Sequence, residues 1–366
     1  MNLVIEDEKT DMKIRIESIG QSQVGDIDFS TLDFGKTFTD HMLVCHYQKG
    51  QWQDVLIEPL GNLSIPPSLS ALHYGQSVFE GVKAFSYRDG QVNVFRLPEH
   101  VTRLNRSLER MCMPTLPEKE VMKCIASFVN LDRAWVPQEP ESALYLRPFV
   151  FATDPFLGLR PSENYTFMVI ASPVGSYYKN CLENPVKLLS SGGDYVRAVA
   201  GGTGEAKTCG NYAASMLPAQ LAQEQGYDQI LWLDGQEGRY VDEVGTMNIF
   251  FVINDTLVTP PLKGAVLDGI TRRSVIALSK DFGLAVKERL ISIDEILDGA
   301  DSGVLQESFG TGTAAVLSPV GEIHHHDRTV LINQGKTGPW AKRFREAIMS
   351  IQYGQVEDIY SWNYLV

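Results

Sequence analysis

The chain has 366 residues, 44% of them hydrophobic and 21% charged, and a net charge of −13. That balance suits a globular protein of about two domains, and it argues against nucleic acid as a partner, because phosphate backbones select basic faces. Five scattered cysteines, with no CxxC, suggest neither a disulfide frame nor a zinc site and fit a reducing, cytoplasmic setting. MNLVIEDEKTDMKIRIES at the start lacks the apolar core of a signal peptide, and no apolar run is long enough to span a membrane.

The opening residues, to about Gly35, are polar and read as an irregular arm or a short edge element. Strand-like runs follow at 41–48 and 52–60 and, after a loop marked by Pro66, Pro67 and Gly75, at 82–87. Arg88-Asp89-Gly90 is a hairpin turn into a strand at 91–96. The period then changes. Val101, Leu104, Leu108 and Met111 recur at helical spacing behind Pro98, which predicts an amphipathic helix over 98–112 with Arg103, Arg106 and Arg110 outward. A second helix is expected over 118–130, and strands return at 143–151 and 164–172. Further strands are expected at 186–190, 229–234, 248–253 and 256–260. Two more helices follow, at 271–282 with Thr271 as its N-cap, and at 340–353. Strands and helices mix without regular alternation. The expected class is therefore α+β with substantial antiparallel pairing, not a doubly wound parallel sheet. Domains are expected at 1–178 and 187–366, joined by a linker at 179–186.

The most informative stretch is GGTGEAKTCGNYAAS, from Gly201 to Ser215. It holds one lysine, Lys207, among glycines that let the backbone approach a ligand closely. A lysine in such a setting is often a plain surface charge, and two chemical readings compete with that. Gly201–Thr208 nearly spells the phosphate loop GxxxxGK[ST] of an ATP-binding protein, but Ala206 replaces its second glycine and Pro218 interrupts the helix that should follow. The other reading is covalent: a buried lysine of lowered pKa forms a Schiff base with an aldehyde. If the aldehyde is pyridoxal phosphate, the chain must also supply an anion site, a carboxylate for the ring nitrogen and a polar group for the ring hydroxyl.

Each has a candidate. Gly269, Ile270 and Thr271 in LDGITRRSV open a helix whose amides and dipole attract anions, as the start of any helix does. Arg96 either clamps a phosphate or lies on the surface. Glu243, at the mouth of EVGTMNIFF, faces a ring nitrogen or solvent, beside a polar turn of Gly245, Thr246 and Asn248. Tyr212 is close enough to Lys207 to reach a ring hydroxyl. Arg147, beside Tyr145 in the apolar run ALYLRPFVF, is costly to bury without an anion. Tyr74, Phe79 and Tyr177 are either pocket walls or ordinary core, and the turn in GTGTAAV offers the amides of Thr313 and Ala314 to a carboxylate. His324, His325, His326 and Asp327 invite a metal, but neighbouring residues of a strand point apart, so no metal site is expected.

In order and spacing, HYGQSVFEG, VFR, YLRP, EAKTCGNYAAS, EVGTMNIFF, LDGITR and FGTGTAAVLSPV resemble the branched-chain amino acid aminotransferases, pyridoxal phosphate enzymes of fold type IV. The resemblance implies a two-domain α+β fold, with a smaller N-terminal α/β domain and a larger C-terminal pseudo-barrel domain. It implies Lys207 as the Schiff-base and catalytic residue, Tyr212 on the cofactor hydroxyl and Glu243 on the ring nitrogen. Arg96, Gly269, Ile270, Thr271 and Thr313 would surround the phosphate. The implied reaction passes an amino group between L-leucine, L-isoleucine or L-valine and 2-oxoglutarate, giving branched-chain 2-oxo acids and L-glutamate. Tyr74, Phe79, Tyr145 and Tyr177 would wall the substrate pocket, with Arg147 for the γ-carboxylate, Thr313 and Ala314 for the α-carboxylate, and Thr246 beside them. A homodimer is implied as well. Ala315 and Ser318 stand where some relatives carry a redox CxxC, so thiol regulation by that route is not expected. D-amino acid aminotransferase, (R)-amine transaminase and aminodeoxychorismate lyase share the fold, and the D-enzyme and the lyase resemble the YLRP and GTGTAA segments less. A catalytically silent relative that binds the cofactor is the remaining alternative.

Overall fold

The computed structural model describes residues 2–5, 12–178 and 180–366. The chain divides into two compact units, Met1–Tyr177 with Ser350–Val366, and Tyr178–Met349.

The first unit carries, among the described residues, an 11-stranded sheet that is largely antiparallel. Its centre is the long pair Ala143–Ala152 and Tyr165–Val174, in register from Ala143↔Val174 to Tyr165↔Ala152. Helices Leu97–Arg110 and Glu118–Leu131 lay their apolar stripes on it, so that Val101, Leu104, Leu108, Val121, Ile125 and Phe128 share a core with Leu43, Val94, Leu146 and Phe167. Each such side chain, fully buried, contributes about 1.5–3 kcal/mol. Arg106 and Arg110 face outward as expected, but Arg103 is buried. Its Nε donates to Glu80 Oε1 at 2.7 Å and its Nη2 to Oε2 at 2.9 Å, while His100 Nδ1 lies 2.8 Å from Oε2. Three-residue spacing places His100 and Arg103 on one helix face, and the carboxylate they meet comes from a distant loop. Burial opposes ionisation of Glu80, yet the Arg103 guanidinium, helped by His100, holds its carboxyl well below the usual carboxylate range.

At the start of the chain Asn2–Ile5 pairs with Ile14–Glu17 at one edge of the sheet, the short edge element of the two forms expected there, and residues 6–11 lie outside the described residues. Asn363–Leu365 pairs with Val92–Phe95, so residues 350–366 belong to the first unit and not to the second domain. By residue count the first unit is therefore the longer, the reverse of the relative sizes that the resemblance implies. The expected linker at 179–186 starts on Lys179, outside the described residues, and ends at the first residue of strand Val186–Ser190.

Among the described residues the second unit holds a mixed, 9-stranded sheet. Its order runs from Val241–Val244 through Gln229–Leu233, Val186–Ser190, Val316–His325 and Leu305–Gly312 to Asn248–Ile253. Val244 and Met247 exchange backbone hydrogen bonds of 2.9 and 2.8 Å, so the edge strand turns directly into a strand five places away and the sheet curls on itself. Leu188, Leu231, Ile249, Phe251, Ile296 and Ile323 fill the curl. The helix Ile270–Asp281 starts one residue earlier than expected, with Gly269 at the N-cap and Thr271 inside the first turn. A further helix, Ile293–Ser302, is not among the expected elements, although Ser292 accepts from the Glu295 amide at 3.1 Å in a capping pattern that the sequence displays. No helix among the described residues is long and apolar enough to cross a membrane.

Removing the Glu80 carboxylate leaves the buried Arg103 charge uncompensated. Glu80→Ala should destabilise the protein by about 3–5 kcal/mol, measured by chemical denaturation. The folded pKa of Glu80 lies below the unfolded one, so its contribution is present above the ordinary carboxylate pKa and is lost only as pH falls through the depressed folded value. The deficit should therefore persist from neutral to mildly acidic pH and shrink in strong acid. Equal midpoints for the two proteins at neutral pH would refute this account.

Candidate active site

Lys207 ends a turn-rich loop and is half-buried. Its Nζ donates to Tyr212 Oη at 2.6 Å. Asn211 pins the loop from the short helix Cys209–Ala213: its Nδ2 donates to Thr203 O and Ala206 O at 2.8 and 2.9 Å, and its Oδ1 accepts from Thr203 Oγ1 at 2.8 Å. The helix after Lys207 is thus a single turn, and a separate helix, Met216–Glu224, follows it. A phosphate loop needs a long helix opening at its lysine, so the ATP-binding reading is set aside.

Glu243 lies in strand Val241–Val244 and is 3% exposed. Its Oε1 accepts from Asn248 Nδ2 at 2.9 Å and from the Leu267 amide at 3.0 Å. Its Oε2 is 2.6 Å from Arg197 Nε, an ion pair without the alignment of a hydrogen bond. Every one of these contacts favours the ionised carboxylate. Arg197 also donates through Nη2 to Gly204 O at 3.2 Å and to Ala265 O, which ties the carboxylate to the Lys207 loop. A narrow cleft is lined by Arg197, Tyr212, Ser215, Glu243, Thr246 and Leu267. The structure therefore brings Tyr212, Glu243 and Thr246 together, with Lys207 bonded to the first. Sequence reasoning missed Arg197, a lone arginine in the irregular stretch DYVRAVA.

Gly269, Ile270 and Thr271 form the N-cap and first turn of a 12-residue helix. Amides at a helix start have no acceptor within the helix, and the dipole favours an anion there. A Cβ on Gly269 would overlap Asn248 Oδ1, so glycine alone lets the helix start against the side chain that also holds Glu243. Thr313 and Ala314 are half-buried in the turn between Leu305–Gly312 and Val316–His325.

The remaining candidates lie in the first unit. Tyr145 and Arg147, two apart on one strand, share a face. Arg147 Nη2 donates to Tyr145 Oη at 3.1 Å, and its guanidinium lies 4.7 Å from the Phe79 ring centre and 5.4 Å from that of Tyr145. Its Nε is buried without a hydrogen-bond partner. Phe34 packs edge-on against Tyr145 and Tyr177, with centroids 4.9 and 5.3 Å apart. Burial, with Tyr145 nearby, pushes the Tyr177 hydroxyl pKa up. Phe79, Tyr145, Arg147 and Tyr177 are thus brought together, with Phe34 as a member that the polar arm had concealed. Tyr74 makes its contact elsewhere, donating to Leu157 O. Arg96 takes a left-handed conformation, φ +55°, between a strand and helix Leu97–Arg110. Its guanidinium donates to Glu99 Oε1 at 2.9 and 2.7 Å and lies 4.9 Å over the Trp362 ring. His324 and His325 turn Nδ1 to Thr329 Oγ1 and Ser190 Oγ, and no group of three or more metal-binding side chains forms among the described residues.

A curled mixed sheet that carries a lysine–tyrosine pair and a buried, arginine-paired carboxylate on one cleft is the frame of a fold type IV enzyme. Residues 77–323 match the amino-transferase class IV family, and the chain belongs to it. It is 50% identical over 337 residues to the branched-chain-amino-acid aminotransferase 2 of Bacillus subtilis (strain 168), covering 92% of each chain. Among solved structures it resembles the branched-chain aminotransferase of Thermoproteus uzoniensis with norvaline, at a TM-score of 0.72 and 28% identity over 89% of this chain and 99% of that one. The Escherichia coli branched-chain amino acid aminotransferase gives a TM-score of 0.72 at 27% identity, over 87% and 98% of the two chains.

Asp242 precedes Glu243 on the same strand and points the other way. Burial, with the Glu243 charge beside it and only partial relief from Arg197, pushes its carboxyl up to about 7. The folded protein then keeps a proton that the unfolded chain has lost, so stability falls as pH rises from about 4 to about 7. Asp242→Asn should remove this penalty. Its melting temperature should exceed the native one clearly at about pH 8 and hardly at about pH 4. A difference that does not vary with pH would rule the account out.

Proposed function

We propose that this chain is a branched-chain-amino-acid aminotransferase. It moves an amino group reversibly between L-leucine, L-isoleucine or L-valine and 2-oxoglutarate, with pyridoxal phosphate as cofactor. The observation that carries the reading is the pairing, on one cleft, of the Lys207–Tyr212 couple with a Glu243 carboxylate kept charged by Arg197.

The residues present suit this cofactor. Ionised Glu243 would keep the ring nitrogen protonated, and Tyr212 would donate to the ring hydroxyl. Gly269, Ile270 and Thr271 at the helix start, with Thr313 and Arg96, would hold the phosphate. Bound pyridoxal phosphate supplies an aldehyde carbon that carries the amino group and a ring that draws electrons from the substrate Cα. Lys207 would anchor it and, once displaced by the substrate amine, would take the proton from Cα. Tyr212 Oη, 2.6 Å away, orients that amine.

Substrate recognition has to accept both an aliphatic side chain and a γ-carboxylate. The Arg147 cluster supports this: Phe79, Tyr145 and Tyr177 offer apolar area, and the guanidinium lying on those rings offers an edge to an anion. Tyr74 would add a wall. The Thr313–Ala314 turn would take the α-carboxylate, with Thr246 beside it. The enzyme would be a cytoplasmic homodimer. Leu72, Tyr74, Phe156, Leu157 and Leu159 are exposed around the Leu69–Pro155 bridge, an apolar surface that a second copy would cover.

The visible absorbance of the purified protein tests the reading. A cofactor band should fall on adding leucine and return with 2-oxoglutarate, and Lys207→Ala should lose both the band and turnover. A band that ignores leucine but bleaches with D-alanine would mean a D-specific relative of the same fold, and no band after incubation with pyridoxal phosphate would overturn the assignment altogether. Arg147→Met should raise KM for 2-oxoglutarate and glutamate by about tenfold to a hundredfold while moving KM for leucine by less than about threefold. Equal rises for both substrate types in steady-state kinetics would remove Arg147 from its role.

A further inference from the structure

Thr311 is 1% exposed, and its Oγ1 is buried with no hydrogen-bond partner among the described residues. Buried hydroxyls are nearly always paired, because an unmade bond carries the full cost of desolvation. Valine would fill the same space on a strand without that cost, so the hydroxyl points to a partner that the protein itself does not provide.

The position of Thr311 indicates what that partner is. In the antiparallel pair of Leu305–Gly312 and Asn248–Ile253, Thr311 stands directly opposite Asn248. Directly opposed residues project from the same face with Cβ atoms about 4.5–5.5 Å apart. On that face Asn248 is fixed: Nδ2 donates to Glu243 Oε1 at 2.9 Å and to Leu267 O at 2.8 Å, and Oδ1 lies where a Cβ on Gly269 would be. Gly269 is the N-cap of helix Ile270–Asp281. Past the helix's other end, Phe282 packs on Phe344, which packs in turn on Phe309, two residues before Thr311 and on the same face. The helix therefore runs along this face with its end toward Phe309 and its start toward Thr311. The unpartnered hydroxyl projects at the first turn of the helix, where amides and dipole already favour an anion.

We propose that Thr311 Oγ1 donates a hydrogen bond to the phosphate of the bound cofactor, beside the helix start at Gly269–Thr271. The proposal rests on the pyridoxal phosphate reading above and adds a residue to it. An ordered water is the competing partner.

Equilibrium dialysis of cofactor-free protein against pyridoxal phosphate, and separately against pyridoxal, distinguishes the two. Thr311→Val should raise the dissociation constant for pyridoxal phosphate by about tenfold or more, since a hydrogen bond to a charged group is lost. It should leave that for pyridoxal, which has no phosphate, unchanged. Thr311→Ser keeps the hydroxyl and should bind both as the native protein does. The melting temperature of cofactor-free Thr311→Val should equal or exceed the native value, because the substitution removes an unpaired buried polar group. Native affinity for pyridoxal phosphate in the Val variant would overturn the proposal, as would an equal loss for the two ligands or a fall in melting temperature without cofactor. A native protein that binds no pyridoxal phosphate would overturn the cofactor reading and this proposal together; any of the former outcomes removes only Thr311.

Discussion

A carboxylate taken out of water costs several kcal/mol unless its charge and lone pairs are met, and much of the second unit's local geometry follows from how Glu243 is met. Among the groups that do it are three from different segments. Arg197 comes from the stretch before the Lys207 loop and also holds Gly204 O and Ala265 O. The Leu267 amide comes from the approach to helix Ile270–Asp281. Asn248 comes from the strand that follows the tight turn after Val244. Satisfying one buried charge therefore draws the lysine loop, the helix start and the curled sheet edge to a single place. The cleft lies at that convergence, where Glu243 shares its lining with Tyr212 and Thr246.

The first unit shows the same physics used for two ends. Arg103 and Arg147 both come from elements that pack on the core. Arg103 meets the Glu80 carboxylate through two nitrogens and is neutralised in place. That pairing fixes Glu80 between Phe79 and Gly81, where a Cβ on Gly81 would overlap the Tyr145 hydroxyl. Arg147 instead rests on the faces of Phe79 and Tyr145 with its Nε unpaired. The neutralised arginine thus holds the loop on which the other arginine lies. Aromatic faces stabilise a guanidinium weakly compared with a carboxylate, so Arg147 keeps most of its capacity for an anion.

What was legible in the sequence was local. Strands at 41–48, 186–190 and 248–253 form where alternation and β-branched residues place them. Lys207 and Tyr212 lie close enough along the chain for one turn of helix to bring them into contact. What stayed hidden was decided by partners far along the chain. Helical periodicity sends Arg103 outward, and only Glu80, contributed by another element, explains why it turns in. Arg197 sits in an irregular stretch whose neighbours say nothing about the carboxylate it will meet. Phe34 belongs to a polar arm with no period to mark it. The return of Asn363–Leu365 to pair with Val92–Phe95 has no local signal, since a strand so short carries almost no alternation. Ser292 and Glu295 are the contrary case, a local capping signal masked by a segment rich in aspartate.

The choice of asparagine at position 248 shows how narrowly the cleft is specified. Both acceptors of its amide group, Glu243 Oε1 and Leu267 O, are within 2.9 Å of Nδ2 and use both of its hydrogens. Aspartate would bring no hydrogen and would set a second negative charge beside a buried carboxylate. Leucine, of similar shape, would leave two buried acceptors unpaired, each at a cost of about 1–3 kcal/mol. Serine would be too short to reach both. On the other side Oδ1 fills the space that only a glycine at 269 leaves clear. The residue that joins the carboxylate to the helix start is therefore set by a count of hydrogen bonds and by volume, and no charge enters its selection. The same count applies across the ladder to Thr311, whose buried hydroxyl has no hydrogen-bond partner among the described residues.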